Sequence, residues 1–132
     1  PKTMMKNNKY SDVVLDVFDF LDERKKVLVN AGIKHENIII DPGIGFGKDY
    51  LQNLELIKNL STFHSLGVPL MLGVSRKRFI DAISSESEPK ERVGGTISAT
   101  LSAMTQGIKI HRVHDVKEIN QALKVFERLL IS

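Results

Sequence analysis

The stretch IIIDPGIGFGKD, Ile38 to Asp49, sets three isoleucines before an acid and a proline, then places glycine at every second position: Gly43, Gly45 and Gly47. A short β-branched run of this kind reads as a buried strand that ends at Asp41. The glycines leave two readings, a phosphate cradle or a turn that clears space so that Asp41 and Phe46 face some other ligand. A Walker loop needs Ser or Thr after Gly-Lys, whereas Gly47-Lys48 is followed by Asp49, whose charge would repel phosphate. A dinucleotide fingerprint needs Gly-x-Gly-x-x-Gly, and the spacing here is Gly-x-Gly-x-Gly. Both nucleotide tests fail, and a tight strand-to-helix turn is the plain alternative for the glycines.

Upstream, Val14, Val17, Phe18, Leu21 and Leu28 recur at helical spacing between Ser11 and Ala31, with Asp12, Asp16, Asp19, Glu23 and Lys26 on the opposite face. This predicts an amphipathic helix capped by Ser11 and stopped by Gly32. Downstream, Leu51, Leu54, Ile57, Leu60 and Phe63 predict a second helix ending near Gly67, and VPLMLGV reads as a parallel strand covered on both faces. A third helix is expected from Pro89 to Gln106, with Val93, Ile97, Leu101 and Met104 on one face and Gly94, Gly95, Ala99 and Ala103 allowing close packing. The strand IKIHRV follows. Asp115, paired with Glu118 in a capping-box-like way, then opens a last helix whose core face is Ile119, Ala122, Leu123, Phe126 and Leu130.

Alternating strands and helices fit either a doubly wound sheet or a (β/α)8 barrel. The position of the polar residues favours the barrel. Asp41 ends the first strand, Ser75, Arg76 and Lys77 follow the second, and Arg112 and His114 close the third, so all lie at carboxyl ends of strands, where barrels carry their chemistry. Arg112 and His114 also share one face, because side chains alternate along a strand. A barrel of this type needs about 250 residues, so the 132 present amount to about half of one.

Composition narrows the function classes. Hydrophobic content of 42% and charged content of 27% are those of an ordinary globular domain, and 132 residues make one domain rather than two. No apolar run reaches the ~18 residues of a membrane span. The chain has no cysteine, which removes thiolate metal sites and fits a reducing compartment. The opening PKTMMKNNKY lacks the apolar core of a signal peptide and does not read as the start of a protein. A net charge of +3 is mild, and the one tight basic run, Arg76 to Arg78, has no recognised nucleic-acid motif with it, so no nucleic-acid partner is expected.

Each candidate residue carries a bland reading beside a functional one. Asp41 can cap the turn as Asx residues before proline do. At the end of a barrel strand the stronger reading is a half-shielded carboxylate that accepts two parallel hydrogen bonds from an amino-pyrimidine edge. Phe46, between two glycines, has little to anchor it except a ligand or a neighbouring loop. Lys77 and its arginines could be a solvated helix start, but cations there oppose the helix dipole, which favours a functional role. Arg112 and His114 are costly on an inward face unless an anion is present. His35 and His111 read as surface or packing histidines.

DPGIGFGK, GVSRKRFI, ERVGGTISATLSAMTQG and HRVHDV, in this order and spacing, resemble consecutive blocks from the carboxy-terminal half of the dihydropteroate synthase family of pterin-binding barrels. The resemblance runs over nearly the whole chain. It implies an α/β fold, a partial (β/α)8 TIM barrel made of the carboxy-terminal strands and helices, with residues 1–132 one portion of a single domain. It implies the folate-pathway condensation of p-aminobenzoate with a dihydropterin hydroxymethyl pyrophosphate, releasing pyrophosphate, with Mg2+ as cofactor and sulfonamides as inhibitors. Carried over by resemblance, Asp41 binds the amino-pyrimidine, Lys77 contacts the pterin and the aminobenzoate side, and Gly45 and Phe46 pack near the aminobenzoate. Arg112 and His114 hold the pyrophosphate, with Gly73, Ser75 and Arg76 around them. The family's amino-terminal blocks, which supply further pterin contacts and the metal contact, have no counterpart here, so no metal ligand is assigned and the chain alone is expected to be inactive. A cytoplasmic homo-oligomer with small-molecule substrates and no membrane contact is expected. Two alternatives stand beside this: a pterin-binding methyltransferase domain, which would leave no pyrophosphate for HRVHDV to hold, and a non-catalytic assembly fragment.

Overall fold

Backbone pairing joins the three apolar runs side by side and parallel. In the computed structural model, which describes residues 10–131, Ile40 bridges Leu70, and β1 (Met71–Leu72) pairs with β2 (Ile110–His111) in the register Met71 to Ile110 and Leu72 to His111. The bonds are Ile40 N–H to Pro69 O (2.9 Å), Met71 N–H to Ile40 O (2.8 Å) and Arg112 N–H to Leu72 O (2.9 Å). Regular pairing is therefore shorter than the predicted strands. Alternation puts Ile38, Ile40, Leu70, Leu72 and Val74 on one buried face, while Ile39 on the other is 55% exposed. VPLMLGV was expected to be covered on both faces. Helices cover only one, because Ile39 and the half-buried Met71 lie on the side away from them.

The covered face forms one core with Val13, Val14 and Val17 of α1 (Val13–Asn30) and with Leu56 and Ile57 of α2 (Tyr50–Lys58). Phe63 is fully buried, its ring centroid 6.0 Å from that of Phe18. Burying side chains of this size contributes about 1.5–3 kcal/mol each.

The local signals mostly act as expected, sometimes one residue over. Asp12, not Ser11, caps α1, accepting from Val14 and Leu15 N–H at 3.1 Å each. Gly32, at φ +99°, closes its far end: its N–H bonds Val29 O and Ile33 N–H bonds Leu28 O, the paired bonds of a Schellman stop. Asp49 and Gln52 form a reciprocal capping box at α2. The predicted second helix is broken, because Asn59 leaves helical geometry, its amide bonds back to Glu55 O, and the chain continues as a 3-10 helix over Leu60–Leu66. Leu51, expected in the core, is 61% exposed.

A short helix, α3 (Arg78–Ser84), was not anticipated, since seven residues are too few for a clear period. The expected third helix splits into a 3-10 turn over Pro89–Glu91 and α4 (Val93–Thr105). Its buried face is Thr96, Ala99, Thr100 and Ala103, not the larger set Val93, Ile97, Leu101 and Met104, which is half-buried. Small residues let α4 approach its neighbours closely. In α5 (Val116–Leu130) only Ile119 is fully buried, and Leu130 of the predicted core face is 57% exposed.

Gly94 and Gly95 separate two effects within one turn of α4. A Cβ on Gly95 would lie 2.3 Å from Ile80 Cγ2, whereas one on Gly94 meets nothing within 4 Å. Gly95→Ala is expected to destabilise the chain by about 1–3 kcal/mol through overpacking. Gly94→Ala is expected to stabilise it by up to about 1 kcal/mol through helix propensity. Urea unfolding of both variants checks this; equal effects would mean that α3 and α4 are not in this contact.

Candidate active site

The register that pairs Leu72 with His111 brings Gly73, Ser75, Arg112 and His114 onto the ladder face away from the helices. Gly73 has no side chain because the Arg112 guanidinium occupies that space: a Cβ there would lie 3.3 Å from Arg112 Nη2. Ser75 Oγ, buried, accepts the His114 backbone N–H at 3.0 Å and lies 2.8 Å from His114 Nδ1. Ser75 thus holds the imidazole through Nδ1, and Nε2 has no hydrogen-bond partner among the described residues. These residues and Lys77 line a cavity of about 320 Å³.

Lys77 is reached from the other side by the glycine loop. The Phe46 ring centroid is 4.5 Å from Lys77 Nζ, a cation–π contact, so this aromatic is anchored by a neighbouring loop. Gly45 makes room for it, since a Cβ there would lie 3.2 Å from Lys77 Cδ. The buried Asn53 holds the loop by accepting Gly45 N–H at 2.8 Å. Burial lowers the Lys77 pKa, the Arg112 charge adds to the fall, and Asp41 opposes it. Asp41 Oδ1 accepts Gly43 N–H at 2.8 Å, so the expected turn cap is present, and Oδ2 has no hydrogen-bond partner among the described residues. One carboxylate thus serves the turn and keeps an acceptor for a ligand.

Arg76 takes the left-handed backbone conformation at φ +58°, rare for a non-glycine residue. Its peptide is held at both ends: its N–H donates to Thr96 Oγ1 at 3.0 Å, and its carbonyl accepts from Arg92 Nη1 at 2.8 Å. Its guanidinium forms a two-point pair with Asp115 at 2.8 and 3.2 Å, which raises the Arg76 pKa and lowers that of Asp115. Asp115 therefore does not cap α5 through its side chain, as the Glu118 pattern had suggested. The Arg76 charge is compensated, whereas Arg112 has no carboxylate partner among the described residues.

Three contributors were not singled out from sequence. Arg92, 6% exposed, also donates to the Glu86 and Ser87 carbonyls and so braces the turn after β1. Asn53 holds Gly45. Lys48 donates to the Gly43 and Phe46 carbonyls at 2.8 Å each. The buried polar positions have no sequence signal beyond a polar residue on an apolar helix face, but Lys48 adjoins the loop and could have been weighed. His111 behaves as a packing histidine, half-buried, bonded to Ile108 O at 3.0 Å and lowered in pKa by burial. A second cavity of about 580 Å³ adjoins Lys77 on the side of Gly45, Lys48, Asn53, Arg78 and Arg92. Among the described residues no group of three His, Cys, Asp or Glu side chains is placed to hold a metal ion. Nor is any described helix long and apolar enough to cross a membrane.

The family model for pterin-binding enzymes matches residues 1–114. The chain belongs to that family. It is 44% identical over its whole length to the dihydropteroate synthase of Neisseria meningitidis, covering 47% of that protein. Among solved structures it is similar to the dihydropteroate synthase of Xanthomonas albilineans in complex with 7,8-dihydropteroate, at 40% identity and a TM-score of 0.92, over 94% of this chain and 47% of that one. The Thermus thermophilus dihydropteroate synthase in complex with 4-aminobenzoate gives 40% identity and a TM-score of 0.90, over 98% of this chain and 52% of that one. This member of the family thus spans about half the length of the relatives it matches.

The half-buried Lys48 makes a pH-dependent prediction. Burial is the largest cause that lowers Lys48, to about 8 from its ordinary 10.5; Asp41 opposes the fall and Lys77 adds to it. Between those values the unfolded chain binds more protons, so this group adds stability as pH rises from about 8 towards 10, and Lys77 acts with the same sign. Urea unfolding is expected to show the native sequence gaining on Lys48→Met over that interval; a constant difference would mean that Lys48 keeps an ordinary ammonium.

Proposed function

We propose that this chain is the carboxy-terminal part of a (β/α)8 barrel dihydropteroate synthase, and that its site joins a dihydropterin hydroxymethyl pyrophosphate to p-aminobenzoate. The observation that carries this is the opposition across Lys77 of a carboxylate with a spare acceptor, Asp41, and an unpaired cation beside a donor histidine, Arg112 and His114. Such a site suits a substrate with a basic heterocycle at one end and an anion at the other.

In this reading Asp41 Oδ2 accepts from the amino-pyrimidine edge and stabilises positive charge that develops on the ring. Arg112 and His114 Nε2–H donate to the pyrophosphate oxygens as the bond between the exocyclic methylene carbon and oxygen breaks, while Lys77 contacts the pterin and the aminobenzoate side. The arylamine nitrogen, held near Phe46 and Gly45, forms the new bond to that carbon and sheds one proton. Contacts preorganised toward developing charge are commonly worth about 3 kcal/mol each at the barrier. Magnesium enters this reading only through ligands outside residues 10–131, and no step here depends on it. The remaining barrel strands, and self-association over the face that carries Ile39, belong to the same proposal.

Two substitutions in the full-length enzyme test it. Asp41→Asn is expected to weaken pterin binding by about 2–3 kcal/mol, since an amide presents one acceptor and one opposed donor. Arg112→Ala is expected to weaken the pyrophosphorylated pterin more than free hydroxymethyl pterin, because only the former carries the oxygens it addresses. Calorimetry with both ligands reads each effect. Unchanged pterin affinity in the first variant, or equal losses in the second, would overturn the assignment.

A further inference from the structure

We propose that Lys48 is a positioning residue: by tying the Gly43 and Phe46 carbonyls to one ammonium, it sets the Phe46 ring against Lys77. The loop it acts on is intrinsically loose. Gly43, Gly45 and Gly47 stand at φ +75°, +90° and +65°, conformations open to glycine at the cost of a large entropy in the unconstrained chain. Phe46, 40% exposed, has too little burial to fix the loop by packing.

Polar contacts must hold it instead. Asp41 takes Gly43 N–H, Asn53 takes Gly45 N–H, and Phe46 N–H closes a turn onto Gly43 O at 3.1 Å. These bonds fix the first half of the loop, and among the described residues it is Lys48 Nζ that reaches the Phe46 carbonyl. The same nitrogen bonds Gly43 O, so Lys48 closes a ring around the residue that carries the aromatic. No carboxylate lies within ion-pair distance of Lys48 among the described residues, and the charge is satisfied mainly by backbone carbonyls. An ammonium with partial burial and no paired acid is costly unless those bonds are made. The charged groups around it are Asp41 and Lys77, with the Tyr10 ring 5.9 Å from Nζ.

Lys48 therefore acts on Lys77 without touching it, through the Phe46 peptide and then the ring. The further step, that this sets the arylamine side of the site, rests on the proposed function.

Proton NMR of the chain tests the positioning itself. The Lys77 side-chain protons are expected to be shifted upfield by the Phe46 ring, and Phe46→Leu to remove that shift and so assign it. Lys48→Met, which keeps the apolar stem and removes the donors, is expected to lose most of the shift, and Lys48→Arg to recover it. A Lys77 shift unchanged in Lys48→Met would overturn the proposal. If Lys48→Met does not fold, the native sequence still decides: ammonium protons of Lys48 that exchange with water more slowly than those of the exposed Lys117 support the ring of bonds, and equally fast exchange refutes it. In the full-length enzyme, Lys48→Met is expected to raise the KM for the arylamine several-fold with Lys48→Arg restoring it. A lost Lys77 shift with an unchanged arylamine KM would leave the positioning intact and remove the arylamine from Phe46.

Discussion

The site depends on a single peptide held in a conformation its residue disfavours. Arg76 in the left-handed region costs about 1–2 kcal/mol relative to an ordinary backbone. Four bonds from three other parts of the chain offset it: one to Thr96 in the body of α4, one from Arg92 at its cap, and two to Asp115 at the junction before α5. The bend turns the backbone sharply between Ser75, which orients His114, and Lys77, which faces Phe46. A relaxed residue there would let the chain run on as strand and separate the two. The strain is thus what allows one short segment to serve both the cavity lined by Arg112 and His114 and an aromatic contact.

Charge is distributed in keeping with this. Arg76 and Arg92 stand close to the site yet are spent on structure, the first against Asp115 and the second on three carbonyls. Lys77 and Arg112 have no such partner among the described residues, and the Arg112 charge adds to the fall that burial imposes on the Lys77 pKa. Uncompensated cations held close together on a rigid frame favour an incoming anion, because the anion relieves their mutual repulsion as well as bonding them. Asp41 is placed where it moderates this field without saturating its own acceptors.

Much of this was legible in the sequence, for identifiable reasons. β-branched runs and glycine punctuation marked the three parallel segments, and polar residues at their carboxyl ends marked the site face, because strand periodicity leaves few alternatives. The pairing of Ser75 with His114 follows from that register. What was not legible depends on tertiary partners. Whether Asp115 caps its own helix or binds Arg76 turns on which donor lies nearer, and local spacing favoured the cap. The buried face of α4 is not the one hydrophobic size predicts, because close packing selects alanine and threonine. Arg92, Asn53 and Lys48 act chiefly by bonding backbone atoms of loops, which no periodicity encodes, although Lys48 stands next to the loop it holds.

The bond from Asp115 to Arg76 has a consequence for how the molecule comes apart. α5 carries one fully buried side chain, Ile119, and ends in the exposed Leu129, Leu130 and Ile131, so it belongs to the weakly anchored part of the fold. Lifting α5 away would draw Asp115 with it and release the guanidinium that helps hold the Arg76 turn. Partial opening at the carboxyl end would therefore disarm the site while Leu56, Phe63 and Leu72 stayed packed. Binding competence and global foldedness are then separate quantities in this chain, and a ligand that bridges Lys77 and His114 would act as a fastener for a helix it never touches.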